Sequence, residues 1–517
     1  MRHLTSHYKS HILQISVMVF LAMALVWAGS CGPSPDDAVK IQLASSHEIL
    51  PADGEVKAAL IVRVYDRHGT LLSGLGEQAA LLLDGKGFEG RTFQTKTEGE
   101  YKFVAEYNGL RSNEVVINAY SAKAYVYGML KSIYFWAKHV PDIDIAKYTS
   151  PEALLTDLRY GKDRGGPDRW SYIANRAAES AYYNEGKHLG FGFRMEYDAQ
   201  GDLRIISITE PSSASKGGLK RGMKILRLNQ LTPEEIWEKN LWSEILKDEP
   251  GTPLDLEVED VKGQKQQISI TKDWLNLKSV EKTNSYLVED RRVGYLLFSR
   301  FIRTSFDELD VAFSEFQNQK ISDIVVDLRY NGGGLTSVVR TLASLITGEQ
   351  THQETCFQFQ HNDKYTHWDA KSLFAKQTYS LNLKRAFMIV GRDSASASEL
   401  LINCLRPYIR VILVGEKTYG KPVGMYSFPF FDKVLVPISY QIVNSKNEGD
   451  YFQGMPPDIE SPDDLAHELG DSEESRLKDA LSAIRSGKYR STRQQPLSVT
   501  TTRRIPRTFQ QQLIGTF

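Results

Sequence analysis

The hydrophobic pattern of this chain changes character several times along its length. Residues 12–27 form an almost unbroken apolar run behind Arg2 and Lys9, and small residues Ala28-Gly29-Ser30 lead to Cys31. That order is a secretory signal, and no other stretch approaches the ~18–20 apolar residues that span a bilayer. Residues 32–39 read as a short polar tether. Over residues 40–121 apolar and polar positions alternate, as in 58–65, and Asp53-Gly54, His68-Gly69 and Asp84-Gly85 interrupt the runs. Alternation with regular turn signals predicts a β-sandwich. Residues 122–185 become helical and aromatic: Tyr125, Met129, Ile133 and Trp136 fall at helical spacing. Such a stripe predicts core packing. Ser150-Pro151-Glu152 has the form of a helix start with Pro at the first position.

A second β module is predicted over residues 186–275, opening on Gly190-Phe191-Gly192-Phe193. Over 280–486 strands alternate with helices. Strands are expected at 293–298, 324–328, 386–390 and 411–414, and helices at 305–317, 335–346 and from the serine-rich turn to about Leu405. Repeated βαβ units imply right-handed crossovers and a mainly parallel sheet. The less regular span 349–382 reads as an insertion over the site. Residues 487–517 carry Lys488, Arg490, Arg493, Arg503, Arg504 and Arg507 and no acid, the pattern of a solvated basic tail.

Composition narrows the function classes. Hydrophobic content of 41% and charged content of 25% are ordinary for globular protein. A net charge of −1 gives no electrostatic reason to expect nucleic acid as a partner. After Cys31 only Cys356 and Cys404 remain. Export would let them pair, burial would keep them as free thiols, and they are too few for a structural zinc site. His352, His361 and His367 lie near Asp363 and Asp369 but match no common zinc spacing. They read as surface histidines, and no metal or cofactor is expected. Ser213-Ala-Ser-Lys216 fits an SxxK pattern, yet no Lys-Thr-Gly follows, so it reads as a helix start.

The informative chemistry lies in two short runs. Ser394-Ala-Ser396-Ala397-Ser398-Glu399 follows an apolar strand and opens a helix, so backbone amides at the helix N-terminus surround a hydroxyl. Lys421 stands 25 residues beyond Ser396, in the Gly-rich turn Thr418-Tyr-Gly-Lys421. Asn331-Gly-Gly-Gly334 ends a neighbouring strand, where glycines let backbone N–H groups approach a carbonyl closely. This is a layout for a serine nucleophile with a lysine base. A lysine with the ordinary pKa of about 10.4 is almost fully protonated at neutral pH, so the base needs a depression of about 2–3 units, or roughly 3–4 kcal/mol, which burial supplies.

These residues carry a resemblance. Gly190 to Phe193, followed by Pro211 to Asn229, resembles a circularly permuted bacterial PDZ domain, with Met223 where those domains usually carry an acid. Residues 124–485 resemble a family S41 C-terminal processing peptidase. The match rests on Asp327-Leu-Arg-Tyr-Asn-Gly-Gly-Gly334, Ser394 to Glu399, Thr418 to Lys421 and Gly454-Met-Pro-Pro-Asp458. The turn spacing over residues 40–121 reads as an Ig-like β-sandwich, which the resemblance does not cover; for the rest the resemblance implies a helical segment, a PDZ-like domain and an α/β core of the ClpP/crotonase type, in a multidomain chain. It implies Ser396 as nucleophile, Lys421 as general base and Glu399 as an orienting acid. Ala397 with Gly333 or Gly334 would supply the oxyanion hole, and Gly190, Phe191, Gly192 and Phe193 a nest for a peptide carboxylate. Where many relatives place a helper glutamine, this chain has Met425. Substrates would be proteins or peptides cut near their C-termini. Ala28 to Cys31 resembles a lipobox, which implies lipidation at Cys31. The expected address is the outer membrane of a bacterium, on the periplasmic side or the surface, as in lipoprotein members from Bacteroidota. The competing class is a non-catalytic binding lipoprotein on an inactive peptidase core. The sequence leaves the oligomeric state open.

Overall fold

The computed structural model describes residues 37–488. The apolar leader, Cys31 and the basic tail beyond Lys488 lie outside the described residues. The chain divides into two compact units. Among the described residues one comprises 37–129 with 142–157 and 429–431, and the other the remaining residues through 488.

In the first unit two sheets enclose one core. Lys40–Ser45, Ala58–Tyr65 and Thr92–Phe93 form the smaller sheet, and Ile49–Pro51, Ala80–Leu83, Lys86–Phe88, Gly99–Tyr107 and Val115–Tyr120 the larger. Alternate residues turn inward, as the period of 2 requires; Leu43, Leu60, Phe103 and Ile117 meet between the sheets.

The second unit is built on a six-stranded sheet. In chain order its strands are β1 (Val280–Val288), β2 (Arg291–Phe298), β3 (Asp323–Asp327), β4 (Arg385–Val390), β5 (Arg410–Gly415) and β6 (Ile459–Glu460), which is also their order across the sheet. Only β1 runs antiparallel to its neighbour. Both faces are covered, as a parallel sheet demands. Helices α1 (Ser305–Asn318), α2 (Thr336–Thr347) and α3 (Ala397–Leu405) share a core with Ala386, Met388 and Val390 of β4. Helix α4 (Ser475–Ser486) packs with Phe387 and Ile389. The same strand thus feeds two cores through alternate residues.

A five-stranded antiparallel sheet belongs to the same unit, in the order Phe193–Tyr197, Leu203–Ile208, Lys224–Leu228, Pro253–Glu259, Lys265–Thr271. Phe193–Tyr197 lies at its edge. Met223 is buried in that sheet's own core. Ser213-Ala-Ser-Lys216 forms a short helix capped by Ser212.

Three expectations need correction. The stripe from Tyr125 to Trp136 is not one helix: Ala122–Ser132 stops short, and the amide of Phe135 is instead donated to the carbonyl of Ile438 at 2.8 Å. The segment also contains a strand, Tyr172–Asn175, paired with Lys433–Val436. The span 349–382 is more ordered than its sequence suggests. Its Thr355–His361 pairs with Ala370–Leu373 and Ile438–Val443 in a four-stranded sheet. His361 is not a surface residue. It is 7% exposed, with Nδ1 2.9 Å from Asp369 Oδ1 and Nε2 3.0 Å from the Tyr426 hydroxyl. His352 and His367 are exposed as expected. Cys356 and Cys404 are both buried free thiols. Among the described residues no helix is long and apolar enough to cross a membrane, and no cluster of His, Cys, Asp and Glu is arranged to hold a metal ion.

Candidate active site

Three turns meet beyond the carboxyl ends of three adjacent parallel strands. Asn331 to Gly334 follows β3, Ser396 follows β4 and Lys421 follows β5. Open α/β sheets bind ligands at this end, because turns leaving neighbouring strands converge there.

Ser396 stands at the head of α3 with φ 56° and ψ −113°. A side chain with Cβ is strained in that conformation, at about 1–3 kcal/mol, so the surroundings must hold it. Glu399, one turn along α3, supplies the hold. Its Oε2 accepts from the amides of Ser396 at 3.0 Å and Lys421 at 2.8 Å. Its Oε1 accepts from the Thr418 hydroxyl at 2.5 Å and the Gly420 amide at 2.7 Å. The Tyr419 amide adds a bond to the Ser394 carbonyl at 3.0 Å. One carboxylate therefore fixes the serine turn and the lysine turn together, through three backbone amides and the Thr418 hydroxyl. Burial pushes the Glu399 carboxyl up from its ordinary range, and these four hydrogen bonds oppose the rise. All four partners donate, which is the pattern that suits an ionised carboxylate.

Lys421 is half-buried, and its Nζ lies 3.1 Å from Sδ of Met425. A thioether is a weak acceptor. Met425 thus touches the amine without offering the stronger bond an amide oxygen would give.

The glycine turn lies against the serine. A Cβ on Gly333, whose φ is 110°, would fall 2.8 Å from Ser396 Cβ and 2.9 Å from the Ala397 amide nitrogen. Only glycine permits that approach. The Gly333 amide is donated to Asn331 Oδ1 at 2.9 Å. Of the two glycines expected to face an oxyanion, Gly334 is therefore the one whose amide this bond leaves available, with Ala397 on the opposite turn.

Asn331 has a larger part than its place in the motif suggested. Its Nδ2 donates to the Phe298 carbonyl at 2.7 Å. Its carbonyl accepts from the Ala395 amide at 3.1 Å and the Ser398 hydroxyl at 2.9 Å. Ser394 donates to the Leu328 carbonyl at 2.8 Å. The two serines flanking Ser396 are thus spent on positioning, which leaves Ser396 as the half-exposed hydroxyl of the three.

The Gly190 to Phe193 turn belongs to the five-stranded module. Phe191 and Phe193 are fully buried in its core. Gly192 has φ 91°, and a Cβ there would sit 2.1 Å from Ser212 Cβ. The strand that follows is tied to the serine loop. Arg194 pairs with Asp393 at 3.0 Å and donates to the Tyr330 carbonyl, and Glu196 pairs with Arg392. Arg221 of the same module donates to the Tyr330 hydroxyl at 2.8 Å and pairs with Asp463 at 2.7 Å.

One residue went unnoticed in the sequence. Glu179, in the helix Arg176–Ser180, is buried, and its Oε1 accepts from the Tyr172 hydroxyl at 2.7 Å. Burial, partly opposed by the Tyr172 bond and the charge of Lys421, pushes its carboxyl up to about 7. No local motif marks it, because its helix is short and 242 positions separate it from the lysine.

Comparison with known proteins accords with this geometry. Residues 292–461 match the model of peptidase family S41, and residues 121–172 match the peptidase S41 N-terminal domain. A probable CtpA-like serine protease of Staphylococcus saprophyticus is 26% identical over 332 residues, which cover 62% of this chain and 64% of that protein. The carboxy-terminal processing protease CtpB of Bacillus subtilis is 27% identical over 265 residues, covering 50% of this chain and 52% of that one. The chain thus spans less than two thirds of the length of either relative. The crystal structure of a putative S41 protease from Bacteroides fragilis shares the fold, with a TM-score of 0.58 at 24% identity, over 70% of this chain and 97% of that one. The chain carries domains of peptidase family S41 and is a homologue of the C-terminal processing proteases.

Proposed function

We propose that this chain is a serine endopeptidase that cuts protein or peptide substrates near their C-termini through a Ser-Lys acyl-enzyme mechanism. The observation that carries the reading is Ser396, held in a strained turn by the same carboxylate that fixes the turn of Lys421. In acylation, neutral Lys421 takes the Ser396 proton as Oγ bonds to the scissile carbonyl carbon. The amides of Ala397 and Gly334 receive the oxyanion, and collapse breaks the C–N bond as the Lys421 ammonium protonates the leaving amine. In deacylation a water passes a proton to Lys421 and attacks the ester. Return of that proton to Ser396 Oγ frees the new carboxyl end.

The module over residues 186–275 is read as a PDZ-like domain that captures chain ends. Its turn Gly190 to Phe193 would receive the terminal carboxylate, and the edge strand Phe193–Tyr197 would pair with the peptide. Residues 40–121 are read as an Ig-like spacer or docking module, and 280–486 as the catalytic domain. Export and lipidation at Cys31 would place the enzyme at a bacterial outer membrane. Incubation of the purified chain with casein tests the activity: cleavage by the wild type, lost in both Ser396→Ala and Lys421→Ala with the fold intact, is expected. Undiminished cleavage by either variant refutes the assignment, and a wild type that binds peptides without cutting them favours the binding-protein class.

A further inference from the structure

We infer that Arg169 is a specificity-determining residue for the proposed cleavage, a cation beside the lysine turn that receives a carboxylate of the substrate's leaving fragment. This rests on the reading of Ser396 and Lys421 as nucleophile and base.

The run Asp168-Arg-Trp-Ser171 is built from its acid outward. Asp168 is 3% exposed. Its Oδ1 accepts from the amides of Trp170 at 2.9 Å and Ser171 at 3.0 Å. Its Oδ2 accepts from the hydroxyls of Tyr134 at 2.6 Å and Ser171 at 2.7 Å. Ser171 Oγ in turn accepts from the Ile438 amide at 3.0 Å. An Asp that binds the amides two and three residues on closes a tight turn. Asp168, Trp170 and Ser171 are buried, so Arg169 is the residue this turn presents outward.

The Arg169 side chain is held in place. Its Nη2 donates to the Tyr419 carbonyl at 3.2 Å, and its guanidinium stands 4.6 Å from the Tyr419 ring centre and 5.0 Å from that of Trp170. Tyr419 is itself a fixed support. Its amide is donated to the Ser394 carbonyl at 3.0 Å, and a Cβ on Gly420 would fall 2.4 Å from the Phe452 carbonyl oxygen. Tyr419 precedes Lys421 by two residues, so their Cα atoms lie within about 7 Å. A long cation ordered before its ligand arrives loses less entropy on binding, which is how preorganisation raises affinity.

The patch holds donors without acceptors. A guanidinium has five N–H donors, and the bond to Tyr419 is the one hydrogen bond that Arg169 makes among the described residues, where no acid pairs with it. The Trp170 indole N–H is buried and meets no acceptor among the described residues. A fixed guanidinium with free N–H groups suits a planar anion with two oxygens, and a carboxylate matches its fork. A leaving fragment carries that group at its chain end or on an Asp or Glu side chain. An extended peptide advances about 3.3 Å per residue, which puts the group within a few residues of the scissile bond.

The test compares kcat/KM of wild type and Arg169→Gln on peptides spanning a mapped casein cleavage site. Each is made as a C-terminal acid and as an amide, and with Glu or Gln in the leaving fragment. Wild type is expected to favour the carboxylate member of one pair by about tenfold, the low end for a hydrogen bond to a charged group because Arg169 is exposed. Arg169→Gln is expected to lose that preference through a higher KM, with kcat for the neutral peptides kept within about twofold. Loss confined to the acid–amide pair identifies the chain end, and loss confined to the Glu–Gln pair a side chain; both support the inference. A preference that survives in Arg169→Gln arises elsewhere, as at the Gly190 to Phe193 turn, and overturns it. So does a wild type with no preference in either pair. A fall in kcat for charged and neutral peptides alike makes Arg169 a prop for the Tyr419 turn and also overturns it. Lys421→Ala separates the two levels: full activity there, or no cleavage by the wild type, refutes the Ser-Lys reading and the inference with it.

Discussion

Replacing Glu399 by glutamine probes the junction between the serine and lysine turns. The two carboxylate oxygens accept from Ser396, Lys421, Thr418 and Gly420. An amide offers one oxygen and one NH2. Turned with its oxygen toward Ser396 and Lys421, it lets Thr418 rotate to accept but sets NH2 against the Gly420 amide. Turned the other way, it sets NH2 against two amides. At least one buried N–H is left unpaired, at about 1–3 kcal/mol, and the surviving bonds lose charge assistance, at roughly 1 kcal/mol each. Relief of the buried charge returns part of this, so a net loss of about 2–4 kcal/mol is expected. Without its anchor the Ser396 turn relaxes toward an unstrained conformation, and kcat should fall at least about a hundredfold, in line with misplacement of a nucleophile. Urea unfolding and peptide cleavage measure the two effects. A variant within about 0.5 kcal/mol of wild type and within threefold in kcat would refute the anchoring role.

Other perturbations have defined outcomes. Gly333→Ala drives a methyl to within 2.8 Å of Ser396 Cβ at a φ of 110°; stability should drop by about 1–3 kcal/mol and kcat should fall far more than KM rises, as steady-state kinetics would read. Met425→Gln gives Lys421 Nζ an amide oxygen in place of the thioether at 3.1 Å; the stronger bond favours the ammonium, so the acidic limb should move to higher pH. The carboxyl of Glu179, ordinarily near 4.5 and raised to about 7 in the fold, contributes in the protonated form. Its stabilising share is whole below pH 4.5 and disappears as pH rises through 7, a loss of about 3 kcal/mol at 1.36 kcal/mol per pH unit. Unfolding titrations of Glu179→Gln across that window should show a flatter pH dependence than wild type.

The residues of the candidate site were more legible in the sequence than the conformations that hold them. The parallel sheet was readable because runs such as Val293 to Phe298 and Ala386 to Val390 are short and apolar and each is followed by a helix, Ser305–Asn318 and Ala397–Leu405. Ser396, Lys421 and the glycine turn stood in distinctive contexts. Three properties were not readable. The left-handed backbone of Ser396 has no local signature, because serine is an ordinary helix cap. The Gly333 amide is engaged by Asn331, a side-chain choice invisible in a Gly-rich string. His361 looked solvated because it lies among polar residues, yet strand pairing with Ile438–Val443 carries it against Tyr426 and Tyr440.

The most direct measurement of the Ser396–Lys421 assignment is covalent trapping. A peptidyl aryl phosphonate transfers its phosphorus to an activated serine Oγ, with release of a phenol, and intact mass followed by peptide mapping locates the adduct. The account predicts a single adduct on Ser396, none in Ser396→Ala, and labelling at least about a hundredfold slower in Lys421→Ala, since general-base assistance contributes 10²–10⁴-fold. An adduct on another residue, or labelling of Lys421→Ala at the wild-type rate, would contradict it.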